Sequence, residues 1–203
     1  MDDRLYFRQL LSGRDFAQHD NVARQMVNFV YLIGDRETGE AVAVDPAYDI
    51  RGLLDILTTD GMKLTGALAT HFHPDHVGGS MGGYTISGVR ELLTLHPVPI
   101  HVQADEALWV KRVTDASDSD LVEHRSGDTL FLEGCGRLDL PGGDAHAMYQ
   151  SLTQKLAKIP DDAILFPGHQ YSMDPSASMG ETRQMNYVFR PKSAEQWLTM
   201  FGN

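Results

Sequence analysis

Cysteine is nearly missing from this chain, long apolar runs are absent, and positive charge is in deficit. Each shortage removes a class of protein. Cys135 is the single cysteine among 203 residues, so no intramolecular disulfide framework holds the fold, and a reducing cytosol suits it. No run approaches the ~18 apolar residues of a spanning helix, and the start, Met1-Asp2-Asp3-Arg4, lacks the apolar stretch of a leader. The formal net charge of −11 argues against nucleic acid or an anionic membrane as partner. A cytoplasmic protein is expected. With 42% hydrophobic and 22% charged residues the composition is that of a globular chain able to bury a core. No repeat, linker or low-complexity tract divides it, so a single domain over 1–203 is expected.

What the chain does have is concentrated in Thr70-His71-Phe72-His73-Pro74-Asp75-His76-Val77-Gly78-Gly79. Four potential metal ligands fall within six residues, in the order His-x-His-x-Asp-His. Neutral imidazole suits zinc and iron, and a carboxylate adds charge and a proton acceptor. Adjacent side chains on an extended backbone point apart, so ligands this dense cannot all reach one ion. Two neighbouring metal positions are the natural reading, each completed from elsewhere in the chain. A His-rich surface loop is the bland alternative, and this spacing disfavours it.

The surrounding pattern is of mixed α/β type. Residues 27–33 and 41–44 read as strands of a hairpin around the polar turn Gly34 to Gly39. Residues 50–58 carry the amphipathic stripe Ile50, Leu53, Leu54, Ile56 and Leu57, and 64–69 is an apolar strand running into the His-rich loop. Metal ligands at the C-terminal end of a strand are where open α/β sheets place their ligands. Gly78 to Gly83 reads as a flexible loop. Residues 89–95, 104–113 and 145–159 read as helices, 99–102 and 163–166 as strands, and the tail 181–201 as helical apart from a break at Pro191.

Two further residues complete the picture. His169 follows the apolar run 163–166 and a Pro-Gly turn, a position equivalent to that of His71 after its own strand. Asp128, in Ser126-Gly127-Asp128-Thr129, is either a solvated turn aspartate or a carboxylate bridging two cations. Arg137 is placed to position an anionic substrate or to cap a loop, and Arg190 and Lys192 are weaker candidates for the carboxylates of a thiol cofactor. Cys135 has no neighbouring base or helix N-terminus and reads as a packing thiol. His19, His96, His101 and His146 stand outside any motif.

Together these words resemble the metallo-β-lactamase fold superfamily, and within it the glyoxalase-II-like hydrolases and persulfide dioxygenases. The carrying residues are 70–76, Gly127-Asp128-Thr129-Leu130-Phe131, Gly134-Cys135-Gly136-Arg137 and Pro167-Gly168-His169. The resemblance implies a four-layered αββα sandwich with a metal site at the sheet edges. It assigns His71 and His73 to a first metal, Asp75, His76 and His169 to a second, and Asp128 to the bridge.

One piece of the family pattern is absent. Relatives carry a further first-metal histidine in a Gly-His-Thr-Pro-Gly-like word, and nothing between Val77 and Gly127 matches it. The expectation is a missing central block of strands, several tens of residues long, joined near Gly127-Asp128. His124, four residues before Asp128, is either a substitute for the absent histidine or, more commonly for such a position, an exposed turn histidine. The resemblance implies a metal-dependent hydrolase cleaving a thioester of a small thiol, with two Zn2+ ions, or one, and Asp75 as ligand and proton relay. Its alternatives are an Fe2+-dependent persulfide dioxygenase and a metal-binding relative with a crippled site. The expected partner is a small-molecule substrate alone, and the oligomeric state is open.

Overall fold

The computed structural model describes residues 4–124, 130–136, 138, 144–169, 171–191 and 193–201. Asp128, Arg137 and Lys192 lie outside the described residues, as does the side chain of His124. The chain divides into two compact units, Met1–Gly127 and Asp128–Asn203.

The first unit is built on a six-stranded sheet. In chain order it contains β1 (Leu5–Leu11), α1 (Asn21–Met26), β2 (Phe29–Asp35), β3 (Glu40–Val44), α2 (Ile50–Thr59), β4 (Lys63–Ala69), α3 (Pro74–Val77), β5 (Gly79–Met81), β6 (Tyr84–Ile86), α4 (Val89–Leu95), β7 (Ile100–Gln103), α5 (Ala107–Thr114) and β8 (Leu121–His124). The sheet order is β1-β2-β3-β4-β7-β8, antiparallel from β1 to β3 and parallel from β3 to β8. The parallel half follows from the helical crossovers α2 and α4, since a parallel connection needs a helix-sized return. The hairpin expected around residues 34–39 is present as β2–β3, with Asp35 opposite Glu40. Asp49 caps α2 by accepting from Gly52 N–H, and Ile50, Leu53 and Leu57 are its buried stripe.

β4 delivers the His-rich segment. It pairs in parallel with β3 on one side and β7 on the other, with Ala67 and Ala69 buried. Pro74 at the first position of α3 starts a single turn that sets Asp75 and His76 side by side, both buried. The segment 78–83 is not a loop. It forms half of the β5–β6 hairpin, with Gly79 opposite Ile86 and Met81 opposite Tyr84. Gly78 has φ +82, and a Cβ there would come within 2.7 Å of Gly88. The glycines are needed for backbone packing and positive φ rather than for flexibility.

The second unit contains α6 (Ala145–Gln150), β9 (Ile164–Leu165), β10 (Ala177–Ser178), α7 (Met179–Met185) and α8 (Ala194–Phe201). Its core gathers Leu130, Leu152, Met179, Val188 and Trp197, and the Trp197 indole donates to the Val188 carbonyl at 3.0 Å. The helix expected over 145–159 is regular only to Gln150, then widens to a π-type turn at Ser151–Lys155 and tightens to a 3-10 turn at Leu156–Lys158. Its apolar periodicity survives this change, which is why the pattern reads as one helix. The strand expected over 163–166 shrinks to Ile164–Leu165, paired antiparallel with β10.

Candidate metal centre

The centre is assembled around Asp45, a residue outside the His-rich motif. Asp45 is buried at the end of β3, with φ +53. That left-handed conformation costs of order ~1–3 kcal/mol for a non-glycine residue and persists only where surrounding contacts hold it. Here they do. Its Oδ1 accepts from Thr70 N–H at 2.8 Å, and its Oδ2 accepts from Thr70 Oγ1 at 2.7 Å and from His76 Nδ1 at 2.7 Å. Burial by itself raises the Asp45 pKa. The electrostatic pull and hydrogen bond of the His76 imidazole, then His71 and the Thr70 amide, outweigh it and hold the carboxyl below its usual range.

Those bonds set the tautomers of two histidines. A hydroxyl has one proton, and Thr70 spends it on Asp45, which as a carboxylate can only accept. Thr70 Oγ1 therefore accepts from His71 Nδ1 at 3.0 Å, leaving the lone pair of His71 on Nε2. His76 likewise gives its Nδ1 proton to Asp45 and presents Nε2 as a lone pair. One carboxylate thus turns two imidazoles into the form in which a metal-binding histidine is held by a second residue behind it.

The candidate ligand atoms converge within the first unit. His71 Nε2 lies 2.9 Å from His73 Nδ1, and the rings of His71 and His76 are 4.1 Å apart. Two ring nitrogens this close repel unless a proton or a cation is held on their lone pairs. The donor set, two or three imidazoles with one carboxylate in a largely buried cluster, fits a divalent cation of the zinc or iron kind. Burial drives the His71 pKa down to about 3, and the adjacent His76 imidazole works in the same direction, so the ring stays neutral and able to coordinate. Phe72 N–H donates to Glu106 Oε2 at 2.8 Å, and the Phe72 ring packs 5.5 Å from that of Trp109, which pins the segment between the two histidines.

His73, Asp75 and His76 join His71 in this cluster. His169 lies in the second unit, where it is buried, stacked on Tyr171 at 4.6 Å and edge-on to Phe131 at 6.0 Å. Cys135 is half-buried, and burial pushes its thiol pKa up, as befits a packing thiol. Arg190 donates to the Met185 carbonyl at 3.2 Å in the second unit. His96 is half-buried and bonds the Leu64 carbonyl at 2.9 Å. The residues missed by sequence, Asp45, Asn28 and Tyr48, have no motif spacing, although Asp45-Pro46 at a strand end was a usable signal. Among the described residues no helix is long and apolar enough to cross a membrane.

Comparison with known proteins places these features in context. No family model matches the chain. It is 34% identical over 167 aligned positions to a hydroxyacylglutathione hydrolase of Polaromonas sp. strain JS666, covering 71% of this chain but only 62% of that protein. The chain therefore spans about three fifths of the length of that relative. It is 28% identical over 223 positions to the human mitochondrial persulfide dioxygenase ETHE1, covering 97% of this chain and 86% of that one. Among solved structures it resembles ETHE1 from Myxococcus xanthus (TM-score 0.74, 23% identity, 98% and 90% of the two chains). It also resembles a metallo-β-lactamase from Staphylococcus aureus (TM-score 0.73, 18% identity, 99% and 67%). A third likeness is TTHA1623 in a di-iron-bound form (TM-score 0.61, 22% identity, 80% and 96%). The alignment lengths carry a further fact. Coverage of 71% is about 144 of the 203 residues, against 167 aligned positions, so about 23 positions have no counterpart here. For the human protein, 97% is about 197 residues against 223 positions, a shortfall of about 26.

Proposed function

The chain is a glyoxalase-II-like member of the metallo-β-lactamase fold superfamily, and from that membership we propose that it is a metal-dependent hydrolase cleaving a thioester of a small thiol. The observation that carries this reading is the cluster of His71, His73, Asp75 and His76, with two rings locked by Asp45 in the coordinating tautomer. When bound, Zn2+ supplies a water acidic enough to yield hydroxide near neutral pH and a charge for the developing oxyanion. The chain's own residues hold and orient. His71 and His73 form one half of the ligand set, and Asp75 and His76 the other. Asp75 is also the carboxylate able to accept or relay a proton during attack on the acyl carbon, with carboxylate and free thiol as products. The resemblance further assigns Asp128 and His169 as ligands and Arg137 as an anion contact.

Metal analysis of the purified chain combined with a thioester hydrolysis assay tests the proposal. The expected result is two Zn2+ per chain, or one if the absent histidine is not replaced, with hydrolysis that a chelator abolishes. His71→Ala should lose metal and turnover together. Unchanged metal content and turnover in that variant would sink the central claim.

A second reading, iron-dependent persulfide dioxygenation, is favoured by one observation. The match to human persulfide dioxygenase takes in nearly the whole chain and 86% of the relative, whereas the hydrolase match leaves more than a third of that protein uncovered. Against it, the resemblance requires the absent histidine in a three-residue iron set, which suffers more from one loss than a two-metal site does. One iron per chain with oxygen consumption on a small-thiol persulfide supports this reading. One metal or none, with neither activity, supports a relative that has lost its chemistry.

A further inference from the structure

Asn28 immediately precedes β2, 1% exposed, and every polar atom it owns is engaged. Its Nδ2 donates to Asp75 Oδ2 at 3.1 Å and approaches His76 Nε2 at 3.1 Å, while its Oδ1 accepts from the Tyr48 hydroxyl at 2.9 Å. Its backbone N–H donates to Ser12 Oγ at 3.1 Å, and its carbonyl accepts from Ser12 N–H at 2.9 Å. A carboxylate oxygen only accepts, so it is the amide nitrogen that faces Asp75. That nitrogen has two hydrogens and no lone pair available, so His76 Nε2 must be the acceptor in the second contact. Asp45 on Nδ1 and Asn28 on Nε2 therefore demand the same tautomer of His76 from opposite sides of the ring.

The backbone around this amide is unusual as well. Val27, immediately before it, has φ +49, and Tyr48, which holds its oxygen, has φ +73. Neither is glycine, and Val27 is β-branched, so both positions are strained. Strain at the residue next to the amide and at the residue that anchors it indicates that surrounding contacts hold the amide in place.

We propose that Asn28 is a positioning residue for the Asp75–His76 ligand pair, its amide giving one hydrogen to each ligand atom and the Tyr48 hydroxyl fixing the amide's direction. Before a cation arrives, the amide keeps two acceptors aimed at a common region. Once the single lone pair of His76 Nε2 is taken by a cation, the amide remains on Asp75 and keeps that carboxylate oriented. The inference rests on the reading above that Asp75 and His76 ligate metal. Because the contacts to Ser12 come from the main chain, a side-chain substitution at Asn28 leaves them in place.

The test is the Zn2+ affinity of the intact chain, measured by competition with a chromophoric chelator, for the wild type, Asn28→Leu and Tyr48→Phe. Loss of a residue that orients a metal ligand weakens binding by about 10–100-fold, and that is the expectation for Asn28→Leu. Tyr48→Phe keeps the ring and removes only the anchor, so it should weaken binding in the same direction by less. A merely structural residue would not move the second readout, the imidazole 15N shifts of the metal-free protein. His76 should be wholly Nδ1-protonated in the wild type and a mixture of tautomers in Asn28→Leu. Unchanged or tighter Zn2+ binding in a folded Asn28→Leu variant overturns the proposal, as does an Nε2-protonated His76 in the wild type. If Asn28→Leu does not fold, Tyr48→Phe and the wild-type tautomer decide. A wild type that binds no Zn2+, Fe2+ or Co2+ instead overturns the metal reading itself, and the tautomer result then judges Asn28 separately.

Discussion

Asp45 accepts three hydrogen bonds in a buried site, and that makes it the residue whose loss reaches furthest. In Asp45→Asn an amide NH2 faces donors from Thr70 or His76, leaving buried donors without acceptors at a cost of about 2–3 kcal/mol. Urea unfolding of the metal-free chain should show that loss, and metal affinity should fall by about 10–100-fold with it. Asp75→Asn probes the proposed proton relay. Turnover should fall by about 10²–10⁴-fold, beyond what restored metal occupancy recovers, and full recovery at saturating metal would remove the relay role. A third residue lies away from the centre. Tyr6 is buried and donates to Asp60 Oδ2 at 2.7 Å, and Asp60 also receives a two-pronged contact from Arg8. Burial, then the Asp60 bond, pushes the Tyr6 phenol up to about 12, against an ordinary value near 10. Because the folded value is raised, the unfolded chain gives up this proton first as pH climbs. The advantage of the wild type over Tyr6→Phe should be complete below pH ~10 and shrink between ~10 and ~12, as read from thermal midpoints across that range.

At the scale of elements, local chemistry was legible wherever it repeats. The β2–β3 hairpin, α2, β4 and α4 lie where period and turn residues place them, because one buried face imposes one period on each. β1 and α1 carry no such signal. β1 interleaves Arg8 and Gln9 with its apolar residues, and α1 has only six residues, too few to show a stripe. The hairpin at 79–86 was hidden because its glycines read as flexibility, when their role is positive φ and close backbone approach. The start of α7 is a full capping box, with Ser178 Oγ accepting from Glu181 N–H and the Glu181 carboxylate accepting from Ser178 N–H. Ser178→Ala should therefore cost about 1 kcal/mol in chemical denaturation, with an unchanged fold by circular dichroism.

For the whole molecule, the balance to measure is between stability and metal. A ligand that binds only the folded chain adds about 2.7 kcal/mol at a hundredfold excess over its dissociation constant. Added Zn2+ should raise the thermal midpoint of the wild type accordingly, a chelator should reverse it, and His71→Ala should show a much smaller rise. What the sequence by itself determined is the likeness to the superfamily and the four candidate ligands of its first motif. Both live in a contiguous word, His71 to His76, whose spacing is set by one strand end and one helical turn. It also marked the absence of the further histidine word between Val77 and Gly127. What only the tertiary structure decided is how those ligands are held. Asn28 meets Asp75 and His76 across 47 and 48 positions, Asp45 meets His76 across 31, and Tyr48 meets Asn28 across 20. Hydrogen bonds over such separations leave no period or spacing in the chain. They exist only once the sheet brings the ends of β3 and β4 and the start of β2 together, and it is there that the tautomers of His71 and His76 are set.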